Sequence, residues 1–154
     1  MAEPHDGTAL LQDAVAQELL ASRQSACLAY TWMDGSPRVV PLWFHWDGDV
    51  LTFGSPVRAP KLRALAVNPQ VAATIEDATT WPYKALLIRG DASVEMLDSV
   101  SPQYEASARR YLGDDEGEKW VSGLRSVPMA RITLKPTTVH LLDFVTRFPS
   151  ALSA

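Results

Sequence analysis

Residues 38–55, RVVPLWFHWDGDVLTFGS, decide the fold. The stretch from Arg38 to Trp46 is rich in branched and aromatic residues, as strands are, and a second such run extends from Asp49 to Ser55. Asp47-Gly48 lies between them and predicts a hairpin, because a primed turn requires positive φ and glycine adopts it without steric cost. Upstream, ACLAYTW (26–32) is a run of the same kind, joined through Asp34-Gly35. Three consecutive antiparallel strands are the expectation. Pro41 stands out within the middle run: proline removes a ladder donor and is confined to strand edges, bulges or places where a ligand approaches the backbone.

Downstream the chain changes character. FGSPVRAPKLRALAVNP (53–69) reads as a strand end, a Ser/Pro loop and a helix from about Pro60 to Val67, with Leu62, Leu65 and Ala66 inward and Asn68-Pro69 as its stop. Arg58, Lys61 and Arg63 crowd the first turn. The amino end of a helix carries roughly half a positive charge, so cations there are unfavourable unless an anion joins them. Two readings stand: solvated surface residues, or a phosphate site in which Ser55 and backbone N–H groups donate beside Arg58 and Lys61.

The rest of the chain surrounds this segment. TALLQDAVAQELLAS (8–22) has the apolar stripe of an amphipathic helix. QVAATIED (70–77) and KALLIRGDASVEML (84–97) read as strands four and five around the loop ATTWPY. Ser101-Pro102 opens a helix over 102–112 that ends at Gly113, and Asp115 and Glu118 have capping-box spacing for a second short helix. MARITLKPTTVHLLDF (129–144) supplies a final strand or a strand pair broken at Lys135-Pro136, and 145–154 is a tail. The whole predicts one domain over 1–154, mainly β with peripheral helices: a six-stranded antiparallel split β-barrel of Greek-key type, preceded by a helical segment in 1–22.

Composition narrows the function. A net charge of −4 argues against a nucleic-acid partner, which would call for a basic face. No apolar run reaches the roughly 18 residues of a membrane span, and the amino-terminal residues lack a signal-peptide pattern, so a cytoplasmic protein without membrane attachment is expected. The single cysteine, Cys27, excludes an intramolecular disulfide and, in its apolar strand setting, reads as a core residue. The dinucleotide-binding, P-loop, nucleophile-elbow and H-E-x-x-H signatures are absent, and His5, His45 and His140 form no triad pattern. No metal site is expected, and no catalytic acid or base is nominated. Trp43, Trp46 and Trp81 could wall a flat ring, so a planar phosphorylated cofactor would use both the aromatics and the cations.

In order and spacing, 35–77 followed by YKALLIRGDASVE (83–95) resembles the pyridoxamine 5'-phosphate oxidase-like family of FMN-binding split barrels, close to its flavin- and deazaflavin-dependent oxidoreductases. The resemblance covers about Leu19 to Phe144. It implies an FMN-dependent oxidoreductase exchanging a hydride with a small organic substrate, with deazaflavin (coenzyme F-420) as the alternative cofactor. It places Arg38, Val40, Pro41, Leu42 and Trp43 along the flavin ring and Phe53, Gly54, Ser55, Arg58 and Lys61 around the phosphate. It further implies a homodimer with cofactor sites at the subunit interface, where Trp81, Tyr83 and Lys84 would reach the partner's cofactor and the aromatic strand faces carrying Trp43 and Trp46 would be covered. A non-catalytic flavin or haem binder is the reading from a different class, with His45 or His140 as the haem ligand. Pyridoxamine phosphate oxidases proper carry a glutamine where this chain has Ala85, and only Arg147-Phe148-Pro149 echoes their carboxy-terminal Arg-Leu-x-Pro element, which argues against vitamin B6 oxidation.

Overall fold

A computed structural model describes residues 7–148; His5, Pro149 and the remainder of the expected tail lie outside the described residues. After a 3₁₀ turn (Thr8–Gln12) come α1 (Ala14–Leu20), β1 (Ala26–Thr31), β2 (Pro37–Leu42), β3 (His45–Trp46), β4 (Leu51–Pro56), α2 (Lys61–Val67), β5 (Gln70–Asp77), β6 (Lys84–Leu97), α3 (Pro102–Leu112), α4 (Asp114–Ser122) and β7 (Met129–Leu142). The single helix expected over 8–22 is interrupted at Asp13. That residue is extended, and its carboxylate accepts a hydrogen bond from the Val15 N–H at 2.9 Å, so a new helix starts there.

The sheet has seven strands in the order β2-β1-β5-β6-β7-β4-β3, all antiparallel, where six were expected. The extra strand arises because the run 38–46 is not one strand. It breaks at Trp43-Phe44: β2 pairs with β1 around Gly35 (φ 83°), whereas β3 pairs with β4 around Gly48 (φ 102°). The three strands expected in a row are thus two hairpins on opposite edges of one sheet. Laid flat, seven strands would span roughly 29 Å, yet the three Cα steps from Leu42 to His45 reach at most about 11 Å. The sheet has to curl until its edges nearly meet, which leaves a barrel with one seam.

α3 closes that seam. The Phe44 N–H donates to the Tyr111 hydroxyl at 3.4 Å, and that hydroxyl donates to the Gln24 carbonyl at 2.8 Å. Arg110 donates to the carbonyls of Phe44 and, at 3.0 Å, of Ser22, with its guanidinium 4.6 Å above the Phe44 ring. Phe44 itself is fully buried. Backbone groups that lack a ladder partner at the seam are satisfied by side chains from a helix distant in sequence, as burial requires.

Inside the barrel, Leu28, Phe53, Ile75, Leu86, Ile88, Ile132 and Leu134 form one core, and α2 adds Leu62, Ala64 and Leu65. Ala66 is exposed instead, because the buried face of this short helix is centred one residue earlier. Cys27 is exposed as well, contrary to the core reading: Ala26 and Leu28 take the inward positions of β1, and a period of two turns Cys27 outward. The capping box at Asp115 and Glu118 does not form. α4 starts from Gly113 with no side-chain cap, and Glu118 pairs with Arg109 and Arg125. Among the described residues no helix is long and apolar enough to cross a membrane, and no cluster of His, Cys, Asp and Glu could hold a metal.

β7 is one continuous strand through Lys135-Pro136. The proline is accommodated where the β6–β7 register shifts between Arg89 and Gly90, a bulge that asks for no ladder donor. Gly90 is buried against β7, and a Cβ there would lie 1.9 Å from the Lys135 carbonyl oxygen. Gly90→Ala should therefore lower stability by about 2–3 kcal/mol as the two long strands are forced apart. Gly123→Ala, whose Cβ would meet only an ordinary contact at 3.6 Å, should be neutral or slightly stabilising. Urea denaturation of the two variants checks this; equal midpoints would show that the β6–β7 approach is not tight.

Candidate functional site

β4 runs into α2 through residues 57–60, and the seam lies beside it. A groove crosses this region in two connected parts. One cavity, about 270 Å³, is bounded by Pro41, Leu42 and Trp43 at the end of β2 and by Gly54, Tyr104 and Trp120. The second, about 370 Å³, continues from Gly54, Tyr104 and Trp120 to Ser55, Val57 and Arg58 and to the 124–129 segment. The predicted residues Pro41, Leu42, Trp43, Gly54, Ser55 and Arg58 are thereby brought together on one wall.

Others fall elsewhere. Phe53 is fully buried in the core beneath this wall, and Val40 packs half-buried against the same core. Arg38 folds back on its own hairpin, donating to Ser36 Oγ at 2.7 Å with its guanidinium 5.9 Å from the Trp32 ring. Lys84 is held by Glu18 of α1 at 2.7 Å, and Trp81 is exposed, edge-on to Tyr83 at 5.2 Å. Within one chain Arg38, Trp81 and Lys84 do not join the groove. His45 and His140 line neither cavity; burial and the nearby Arg110 push the His45 pKa down, so its ring is neutral at pH 7, with Asp47 opposing the shift.

The electrostatics at the β4–α2 end are unbalanced. Arg58, Lys61 and Arg63 have no carboxylate partner among the described residues, and the first turn of α2 contains no acid. Lys61 is half-buried, and burial alone lowers its pKa. A partly desolvated ammonium with no counter-ion is unfavourable, and an anion beside it would offset the cost. Ser55 is buried, and its hydroxyl has only a long bond to the Pro56 carbonyl (3.3 Å).

Tyr104 and Trp120 complete the groove and were not anticipated as site residues. Trp43 stacks on Tyr111 at 5.0 Å, meets Tyr104 at 6.1 Å and takes Trp120 edge-on at 6.4 Å; Trp120 Nε1 donates to the Tyr104 hydroxyl at 3.1 Å. Gly54 allows this approach, because a Cβ there would lie 2.3 Å from the Tyr104 ring. The only sequence signal was the aromatic content of 102–120, which reads equally well as helix packing. The aromatic wall expected from the strand tryptophans is built largely by α3 and α4.

The comparisons with known proteins agree with this architecture. The family model for pyridoxamine 5'-phosphate oxidase matches residues 12–143. An F420 reductase is similar in structure with a TM-score of 0.61 at 25% identity, over 80% of this chain and 94% of its own. The conserved hypothetical protein Rv2991 of Mycobacterium tuberculosis has a TM-score of 0.68 at 18% identity, covering 93% and 91% of the two chains. General Stress Protein 26 of Bacillus anthracis has a TM-score of 0.62 at 15% identity, covering 84% and 92%. These last two show the shared fold alone. No match is found among curated proteins. With the split barrel, the groove along its seam and a family match over most of its length, the chain belongs to the pyridoxamine 5'-phosphate oxidase family and has that family's flavin-binding oxidoreductase type of fold.

Proposed function

We propose that this chain is an FMN-dependent oxidoreductase, acting as a homodimer on a small organic substrate. The observation that carries the reading is the half-buried Lys61 at the start of α2, three residues beyond Arg58 and without a carboxylate partner among the described residues; Arg58 stands at the rim of the groove that Pro41–Trp43 also border, and Lys61 lines neither of its cavities. The residues present fit the cofactor. Arg58 and Lys61 would hold a phosphate through charge-assisted hydrogen bonds. β2 is an edge strand, so it offers free backbone groups to a polar ring edge, and Pro41 withholds a donor. A bound flavin would supply the two-electron chemistry that no side chain of this groove provides. The chain's own part is to anchor the phosphate, orient the ring and exclude water with Trp43, Tyr104 and Trp120.

Deazaflavin is the second reading, favoured by the likeness to an F420 reductase at 25% identity. Its longer, more anionic tail would call for a cationic path beyond α2. That path is thin here, since Lys84 is neutralised by Glu18 and Arg38 lies on its hairpin, which leaves Arg63 and Arg89. FMN is therefore the preferred cofactor.

The dimer rests on the outer face of β1 and β2. Cys27, Val39 and Pro41 turn outward there, with Val39 68% exposed, and Trp81 and Phe148 add exposed apolar surface. Trp43 and Trp46, which the sequence suggested for this surface, are half-buried within the chain.

Arg58→Ala combined with Lys61→Ala should weaken FMN binding by about 2–4 kcal/mol, with little loss of fold stability. Flavin fluorescence titration measures it, and unchanged affinity would refute the phosphate assignment. The same titration with deazaflavin should show weaker binding that declines further towards 0.5 M salt, on the order expected for partly exposed ion pairs; tighter deazaflavin binding reverses the preference. In light scattering at micromolar concentration the chain should have twice its 16.9 kDa mass, and Val39→Glu should shift it towards the monomer.

A further inference from the structure

The larger cavity has the wrong chemistry for most of a phosphorylated cofactor. Its wall is almost wholly apolar: Val57, Leu124, Val127, Pro128 and Met129 face Tyr104 and Trp120. The polar atoms nearby are few. The Tyr104 hydroxyl accepts from Trp120 Nε1, and the Ser55 hydroxyl donates to the Pro56 carbonyl. Arg58 alone is charged, and it is exposed at the rim. A hydroxyl-rich chain or a phosphate placed inside would lose water and find few partners among these residues, which is costly. At about 370 Å³ the cavity falls in the size range of small-molecule sites, and apolar side chains, Trp120 (50% exposed) and Val127 (44% exposed), crowd its opening. It shares Gly54, Tyr104 and Trp120 with the Pro41–Trp43 cavity, so a molecule held in it lies against the part of the groove assigned above to the ring.

We infer that this chamber receives the hydrophobic body of an uncharged substrate, and that Trp120 sets the size it accepts. The inference rests on the flavin reading for the word substrate, but the chamber's preference for a neutral apolar ligand does not. Trp120 borders both cavities of the groove and a further hollow against Leu112, Lys119 and Leu124 on the outside of α4. Its indole is held by one hydrogen bond and by edge contact with Trp43. Shortening it widens the groove and opens it to that hollow without touching the buried core, because the side chain is half exposed.

Isothermal titration calorimetry of the full chain, free of flavin, tests this with 1-naphthol, its anionic counterpart 1-naphthoate, and the larger neutral 1-pyrenemethanol. 1-Naphthol should bind at least tenfold more tightly than 1-naphthoate. Val127→Trp, a change at an exposed position that fills the opening, should weaken 1-naphthol at least tenfold, and Trp120→Ala should raise affinity for 1-pyrenemethanol at least tenfold. Equal or tighter binding of 1-naphthoate, or no response to Val127→Trp, overturns the chamber; no gain in Trp120→Ala overturns the role of Trp120. FMN titration of the same samples separates the two readings. A chain that binds FMN but not 1-naphthol overturns the chamber alone, whereas one that binds 1-naphthol and no flavin supports the chamber and overturns the flavin reading.

Discussion

The buried backbone at Trp43-Phe44 is the constraint on which the rest of the structure depends. Here the chain leaves one edge of the sheet and enters the other, so neither the N–H nor the carbonyl of Phe44 has a strand partner. Unpaired and out of water, each group would cost roughly 1–3 kcal/mol. Arg110 and Tyr111 satisfy both and simultaneously bind the carbonyls of Ser22 and Gln24, which tie the segment before β1 to the same point. Burial raises the Tyr111 pKa, so the phenol keeps its proton and its donor role across the physiological range.

Because α3 closes the seam, it also has to lie beside the groove. Tyr104 sits on the same helix two turns before Tyr111 and reaches over Gly54. α4 then packs on α3 through Gly117, whose missing side chain lets it approach the Arg109 backbone; a Cβ at this position would fall 2.8 Å from the Arg109 Cα. Glu105, Arg109, Glu118 and Arg125 form a ring of ion pairs across the two helices. These pairs are partly exposed and screened, so they set the register of α4 more than they stabilise it. The consequence for function is positional: Trp120 is delivered to the mouth of the groove by a helix anchored to the seam.

The charge pattern completes this division of labour. Lys84, Arg131, Lys135 and Arg147 each meet a carboxylate, and Arg147 holds the carboxylate of Asp13 below its ordinary pKa by a hydrogen bond at 2.7 Å. The cations around the start of α2 meet none, and Lys61 is partly desolvated as well. Arg58 and Lys61 stand without a carboxylate among the described residues although the protein carries a net charge of −4, and in the reading proposed above they would take an anion from outside the chain.

The sequence by itself determined the strand runs, the glycine turns at Gly35 and Gly48, the short helix stopped by Asn68-Pro69, and the cluster of Arg58 and Lys61 after Ser55. All of these are local: period, turn chemistry and charge are written within about ten residues. It also carried enough order and spacing to show the family. Only the tertiary structure decided that 38–46 splits between opposite sheet edges, since a period of two fixes which residues share a face but not which strand pairs with which. The same limit hid the outward turn of Cys27, whose apolar neighbours suit either face. Tyr104 and Trp120 were invisible as site residues because a cavity is made by elements that meet across some fifty to eighty positions of chain, and no local pattern records that meeting.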